Sequence, residues 1–179
     1  NLIIGNKEEN QKENIEALRE IAPVWMSDIL TLEDALKAMT EIAEITGKKE
    51  EGVKLFSEVK SGFNSLINKS LGSALYLIWR NPWMACGKDT FVDDMLSRCG
   101  FENCLKDTRY PELNWDDIQS PDHILLSSEP YPFKEKHISE LQEIFPNAKI
   151  RLVDGEMFSW YGSRLLQAPK YFQELIDSL

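Results

Sequence analysis

Residues 149–164 read "KIRLVDGEMFSWYGSR". A largely apolar, strand-length run over 149–153 passes straight into a Gly-bracketed loop, at the point where a helix should begin. That loop carries Phe158, Trp160 and Tyr161. The runs "ALYLIW" (74–79) and "HILLSS" (123–128) have the same strand character, with a shorter "NCL" (103–105) between them. Helical spacing fills the gaps near Thr90–Cys99 and Lys134–Phe145, and again from the loop to Leu179. Continuous apolar strands alternating with helices predict a parallel sheet covered on both faces, an α/β lobe over 71–179.

Toward the front, "LIIG" followed by the helix-prone "NKEENQKENIEALREI" and then "VWM" reads as strand, helix, strand. Two strands do not make an independently stable sheet. Residues 1–30 are therefore expected to be the remnant of a second α/β lobe, packed at the far end of a long helix or on a neighbouring copy. Unpaired strand edges there predict self-association through residues 1–30. Between the lobes, Thr31 and Asp34 resemble a capping box, and Leu32, Ala35, Leu36, Met39, Ile42 and Ala43 share one helical face. A second helix is expected over Lys48–Lys69, about 33 Å long, so that 31–70 forms a linker and a backbone helix.

The composition is that of an ordinary globular chain, with 179 residues, 42% hydrophobic and 28% charged. A net charge of -10 argues against nucleic acid as a partner, because phosphate binding draws its affinity from clustered Lys and Arg. The longest apolar run, "SALYLIW", is far shorter than the roughly 18 residues of a membrane span. Cys86, Cys99 and Cys104 form no Cys-x-x-Cys pair, and His123 and His137 stand apart. Free thiols and no metal site are expected, with a Cys99–Cys104 bridge as the alternative.

In open parallel sheets, ligands collect beyond the carboxyl ends of the strands. Three loops leave such ends here: 80–88, 129–133 and 154–163. They hold Trp83, Tyr131, Phe133, Phe158, Trp160 and Tyr161, about a quarter of their residues, in a chain that is 10% aromatic. Such rings suit a planar ligand or a protein partner, and about half of the six are expected to fold back onto the sheet. No Gly-rich phosphate loop, nucleophile elbow or His beside a Cys or Ser is present. Glu129, Asp154 and Glu156 read as solvated loop carboxylates rather than an acid and base pair. Thr90, as a helix cap, is only a weak anion-site signal.

The stretches "NPWMACGKDTFVDDMLSRCGFENCLKDTRYPEL", "ILLSSEPYPFKEKHISEL" and "VDGEMFSWYGSRLL" resemble the carboxyl-terminal lobe of class III periplasmic binding proteins, the cobalamin and ferric-siderophore receptors of ABC importers. They are most similar to the "helical backbone metal receptor" branch. "NLIIGNKEENQKENIEALRE" resembles the last β-α unit of the family's amino-terminal lobe, and 31–69 its linker and backbone helices. The resemblance implies two Rossmann-like, chelatase-like lobes joined by a rigid helix. They would clasp a metal chelate, a corrinoid first, and pass it to an ABC permease without catalysis and without a cofactor of their own. It places Trp83, Met84, Tyr131, Phe158, Trp160 and Tyr161 against the ligand. Asn6 stands at the strand end where cobalamin receptors can carry an aromatic. Glu13 and Glu156 are the nearest counterparts of the glutamates that dock such receptors to permease arginines. The family's amino lobe begins upstream of "NLIIG", so the chain reads as a fragment, expected to bind weakly by itself. No leader is visible before Asn1, which leaves a periplasmic or envelope-attached location beside a cytoplasmic one. The alternatives are an intracellular tetrapyrrole-handling or chelatase-like protein and a protein-interaction module. The absence of His from the three loops disfavours the chelatase.

Overall fold

The computed structural model describes residues 1–67 and 69–179. Two sheets organise the chain. The smaller pairs β1 (Ile3–Asn6) with β2 (Val24–Ser27) in parallel, Ile3 opposite Val24, through the crossover helix α1 (Lys12–Arg19). Ile15 is the buried residue of α1, and it anchors the helix on this sheet. The loop after β1 reaches the large lobe directly, where the Asn6 amide donates to the Tyr161 hydroxyl and Glu8 accepts from Arg109.

The larger sheet is five-stranded and parallel except for one short strand. Its centre is β3 (Gly72–Trp79), flanked by β6 (His123–Ser127) and then β7 (Lys149–Val153). On the other side of β3, β5 (Phe101–Asn103) covers its start, and the two-residue antiparallel β4 (Met84–Ala85) covers its end. β5 falls two residues before the expected "NCL", and β4 lies inside what the sequence reads as a loop.

The continuous apolar runs are explained by burial on both faces. Ala74, Tyr76, Leu125 and Val153 point into one core and Leu75, Leu77, Ile124 and Leu126 into the other, the alternation a pleated strand imposes. Helix α4 (Phe91–Arg98) follows β4, with Thr90 as its cap, and α5 (Glu135–Ile144) follows β6. Beyond β7 come α6 (Gly155–Ser159), a 3-10 turn at Ser163–Leu166 and α7 (Ala168–Asp177).

Helix α2 (Leu32–Ile45) begins with the capping box read from the sequence: Asp34 N–H donates to Thr31 Oγ1 at 3.1 Å and Thr31 N–H to Asp34 Oδ2 at 3.0 Å. Helix α3 (Lys49–Asn64) has 16 residues and spans about 24 Å, shorter than the expected 48–69, of which Asn68 lies outside the described residues. α2 and α3 approach so closely that a Cβ on Gly52 would stand 2.3 Å from that of Ala43. Leu32, Leu36, Val59 and Phe63 join Tyr76, Met95, Phe158 and Phe172 in one core, so these helices are built into the large lobe.

Cys86, Cys99 and Cys104 are all free, the first two buried. Burial pushes all three thiols up, Cys104 to about 11. Thiol titration is therefore expected to find three reactive groups in denaturant and almost none in the native protein, where thiolate is scarce. One reactive group in denaturant would reveal a bridge.

His123, at the start of β6, is buried against the Phe101 ring, and its Nδ1 has no hydrogen-bond partner. Burial first, then Lys149 and Arg151, hold its pKa below the ordinary 6.5 against the opposing effects of a hydrogen bond to the Leu71 backbone and of Asp122. His137 is lowered in the same way, by burial first. The unfolded chain thus binds protons that the folded chain refuses, and stability is expected to fall as pH drops below about 6.5, before the carboxylates titrate. Denaturant melts between pH 5 and 8 check this, and His123→Gln should flatten part of the slope.

Candidate functional site

The carboxyl ends of β3 and β6 open, as parallel strands do, into a cleft of about 530 Å³. Tyr76, Ser127 and Cys86 form its floor. One wall is the exit of β3 and the start of β4, with Ile78, Trp79 and Met84; another is Glu129, Pro130, Ser159 and Trp160. Glu8 and Glu9, from the loop after β1, face Tyr110 from the loop after β5 and close the third side.

Two indoles give the cleft its flat surface, Trp160 being 50% exposed and Trp79 40%. Trp160 Nε1 donates to Glu129 Oε1 at 2.6 Å, and the single Ser159 hydroxyl proton is shared between that oxygen at 2.9 Å and the Gly155 carbonyl at 2.8 Å. Arg164 lies 5.9 Å above the Trp160 ring, and Trp79 is held edge-on by Tyr131 at 5.8 Å. Gly155 allows α6 to start here: a Cβ would come within 2.4 Å of Ser127 Oγ and 2.6 Å of the Glu129 side chain.

The structure separates the residues that the sequence groups together. Met84 and Trp160 line the cleft. Tyr161 lines an adjoining hollow of about 100 Å³ that shares Glu8, Glu9 and Tyr110 with it. Asn6, bonded to Tyr161, lies in a second, apolar hollow of about 380 Å³ between the small sheet and α2. Tyr131 stands behind Trp79, packed on Phe133. Trp83 turns away from the cleft, stacked on Phe133 at 5.9 Å and edge-on to Trp115. Phe158 is wholly buried between Tyr76 and Phe172. Trp83, Tyr131, Phe133 and Phe158 thus fold back, four of the six loop aromatics where about half are expected. Glu13 is exposed in the first turn of α1, while Glu156, in the first turn of α6, is paired with Arg164.

Trp79, Tyr110, Glu8 and Glu9 join the site from outside the three loops. Trp79 was detectable, as the last residue of an apolar strand pointing toward the carboxyl-end crevice. Tyr110, Glu8 and Glu9 come from segments with no pattern to mark them.

The two parts of the chain meet at Glu8, whose carboxylate accepts from Arg109 Nη2 at 2.9 and 3.0 Å and from the Tyr110 hydroxyl. Burial, and then Glu8, push the Tyr110 phenol well up; burial, then Glu8 and Glu9, do the same to Tyr161. Both phenols stay protonated. The Cys86 thiol in the floor is held protonated by burial, so it is a poor nucleophile. Among the described residues, no group of three His, Cys, Asp or Glu side chains is placed to hold a metal ion. No helix among them is long and apolar enough to cross a membrane. What this arrangement offers a ligand is flat apolar area edged with fixed acceptors.

A sequence search of curated proteins finds no match. Solved structures share the fold. The periplasmic heme-binding protein RhuT of Roseiflexus sp. RS-1, in apo form, superposes with a TM-score of 0.80 at 16% identity, covering 99% of this chain and 74% of that one. The periplasmic vitamin B12 binding protein BtuF of Vibrio cholerae gives 0.73 at 14%, covering 99% and 74%. The periplasmic heme binding protein HutB of Vibrio cholerae gives 0.73 at 20%, covering 98% and 76%. The family described as "Periplasmic binding protein" matches residues 1–144, and the chain belongs to that family of binding proteins.

Proposed function

We propose that the protein captures a flat metal chelate, a corrinoid as first choice, in the cleft between Trp79 and Trp160 and delivers it to an ABC permease. The observation that carries this reading is the cleft itself. It lies at the carboxyl end of a parallel sheet, presents two exposed indoles, and at about 530 Å³ falls within the range of ligand sites. Solved relatives of this fold are named for heme and for vitamin B12, which supports a planar macrocycle as the ligand class. The family's name supports capture in the periplasm or at the cell envelope. Rings fixed by their neighbours lose little freedom on binding, so affinity should depend on a few aromatic faces.

Met84, Trp79, Trp160 and Tyr110 are assigned to the ligand, with Tyr131 supporting Trp79 and the Asn6–Tyr161 contact bordering the site. Glu13 and Glu156 are the assigned permease contacts. The test is titration of the full-length protein with cyanocobalamin, hemin and ferric siderophores, following tryptophan fluorescence. Saturable binding of at least one chelate well below roughly millimolar is expected. Binding of none sinks the reading and leaves the interaction-module alternative.

Copies of the chain should also associate through the small sheet. Among the described residues its two strands pair only with each other, and Leu2, Ile4 and Ile21 are exposed, Ile21 at 78%. A sedimentation coefficient that rises with concentration is expected, and strictly monomeric behaviour at high concentration contradicts this.

A further inference from the structure

We infer that the cleft selects neutral or cationic chelates whose rims carry amide or ammonium donors, and that Glu129 is the residue that sets this preference. The inference rests on the binding site proposed above but not on which macrocycle fills it.

The charged side chains lining the cleft are Glu8, Glu9 and Glu129, and among the described residues no Lys or Arg lines it. The cations nearby are already committed. Arg109 bonds Glu8 and the Asp89 carbonyl, Lys88 pairs with Asp93 at 3.2 Å, Arg164 pairs with Glu156, and Arg80 pairs with Glu140 at 2.8 Å. With Arg109 set against Glu8, the lining still keeps two carboxylates, Glu9 and Glu129, without an ion-pair partner among the described residues.

Glu129 is also fixed in place. Ser127 Oγ donates to its carbonyl at 2.5 Å and accepts from its N–H at 3.3 Å. Its Oε1 accepts from Trp160 Nε1 and shares the Ser159 hydroxyl proton with the Gly155 carbonyl, which sets the carboxylate at the edge of the exposed indole. Its second oxygen, Oε2, accepts from nothing within the described chain. A macrocycle lying on Trp160 brings its rim to this oxygen. A carboxamide or ammonium on the rim finds a preset acceptor, whereas a carboxylate or catecholate meets like charge between low-dielectric walls. Discrimination comes from this repulsion as well as from the attraction. Amide-rimmed corrinoids fit such a site; propionate-bearing porphyrins and ferric tris-catecholates do not.

The test uses two pairs of ligands matched in ring, each with one neutral or cationic and one anionic member, titrated into the full-length protein. One is dicyanocobyrinic acid as its heptaamide and as its heptacarboxylate; the other is a zinc porphyrin with four cationic or four sulfonated substituents. The amide and cationic members are expected to bind roughly tenfold or more tighter than their partners. Glu129→Gln should reduce that ratio severalfold while leaving the melting temperature unchanged. If the porphyrins discriminate and neither corrin binds, the charge rule stands and the corrinoid assignment falls. If an anionic member binds as tightly as its partner, or if Glu129→Gln leaves the ratio untouched, the inference is overturned while chelate binding survives. Binding of none of the four overturns both.

Discussion

Phe158→Ala is expected to destabilise the protein by about 3 to 5 kcal/mol, the cost of emptying an aromatic site that cannot collapse. Phe158 has no exposed surface, and its ring lies 4.7 Å from Phe172 and 5.1 Å from Tyr76, at the junction of α6, α7 and β3. The same core takes in Val59 and Phe63 of α3, so the loss should be felt across the helical layer and the sheet together. Denaturant unfolding monitored by circular dichroism measures it. A change below about 1 kcal/mol would mean that the ring is not packed as described and is free to turn toward the cleft.

Trp160→Ala should do the opposite, weakening ligand binding by about 1 to 3 kcal/mol with little change in stability, because half of the side chain is already exposed. Titration with cyanocobalamin alongside a thermal melt separates the two effects. Equal affinity in variant and parent, or a large fall in melting temperature, counts against the assignment. Trp83→Ala provides the contrast, since that ring stacks on Phe133 over the second core and its removal should cost stability first.

The sheet could be read from the sequence because burial on both faces leaves an unbroken apolar signature, and "ALYLIW" and "HILLSS" carry it. The start of α2 could be read because Thr31 and Asp34 are a local hydrogen-bonding device. β4 could not, as two residues show no period and Met84–Ala85 become a strand only by lying beside β3. The end of α3 was misplaced because Leu66, already beyond the helix, still packs on the core and so continues the apolar spacing. At the site, the sequence identified the aromatic loops, but which ring meets the cleft and which the core is decided by tertiary packing. Phe158 and Trp160 are two residues apart with opposite fates. Glu8, Arg109 and Tyr110 come together only because the chain brings the loop after β1 against the loop after β5.

Hydrogen exchange of the full-length protein, with and without saturating cyanocobalamin, tests the location of the site directly. Protection is expected at 7–10, 79–86, 108–112, 127–131 and 157–161, the segments that enclose the cleft. Protection confined to the groove between α2 and α3, where Met39, Ile42 and Leu55 line a separate hollow, or no protection at all, would contradict the account.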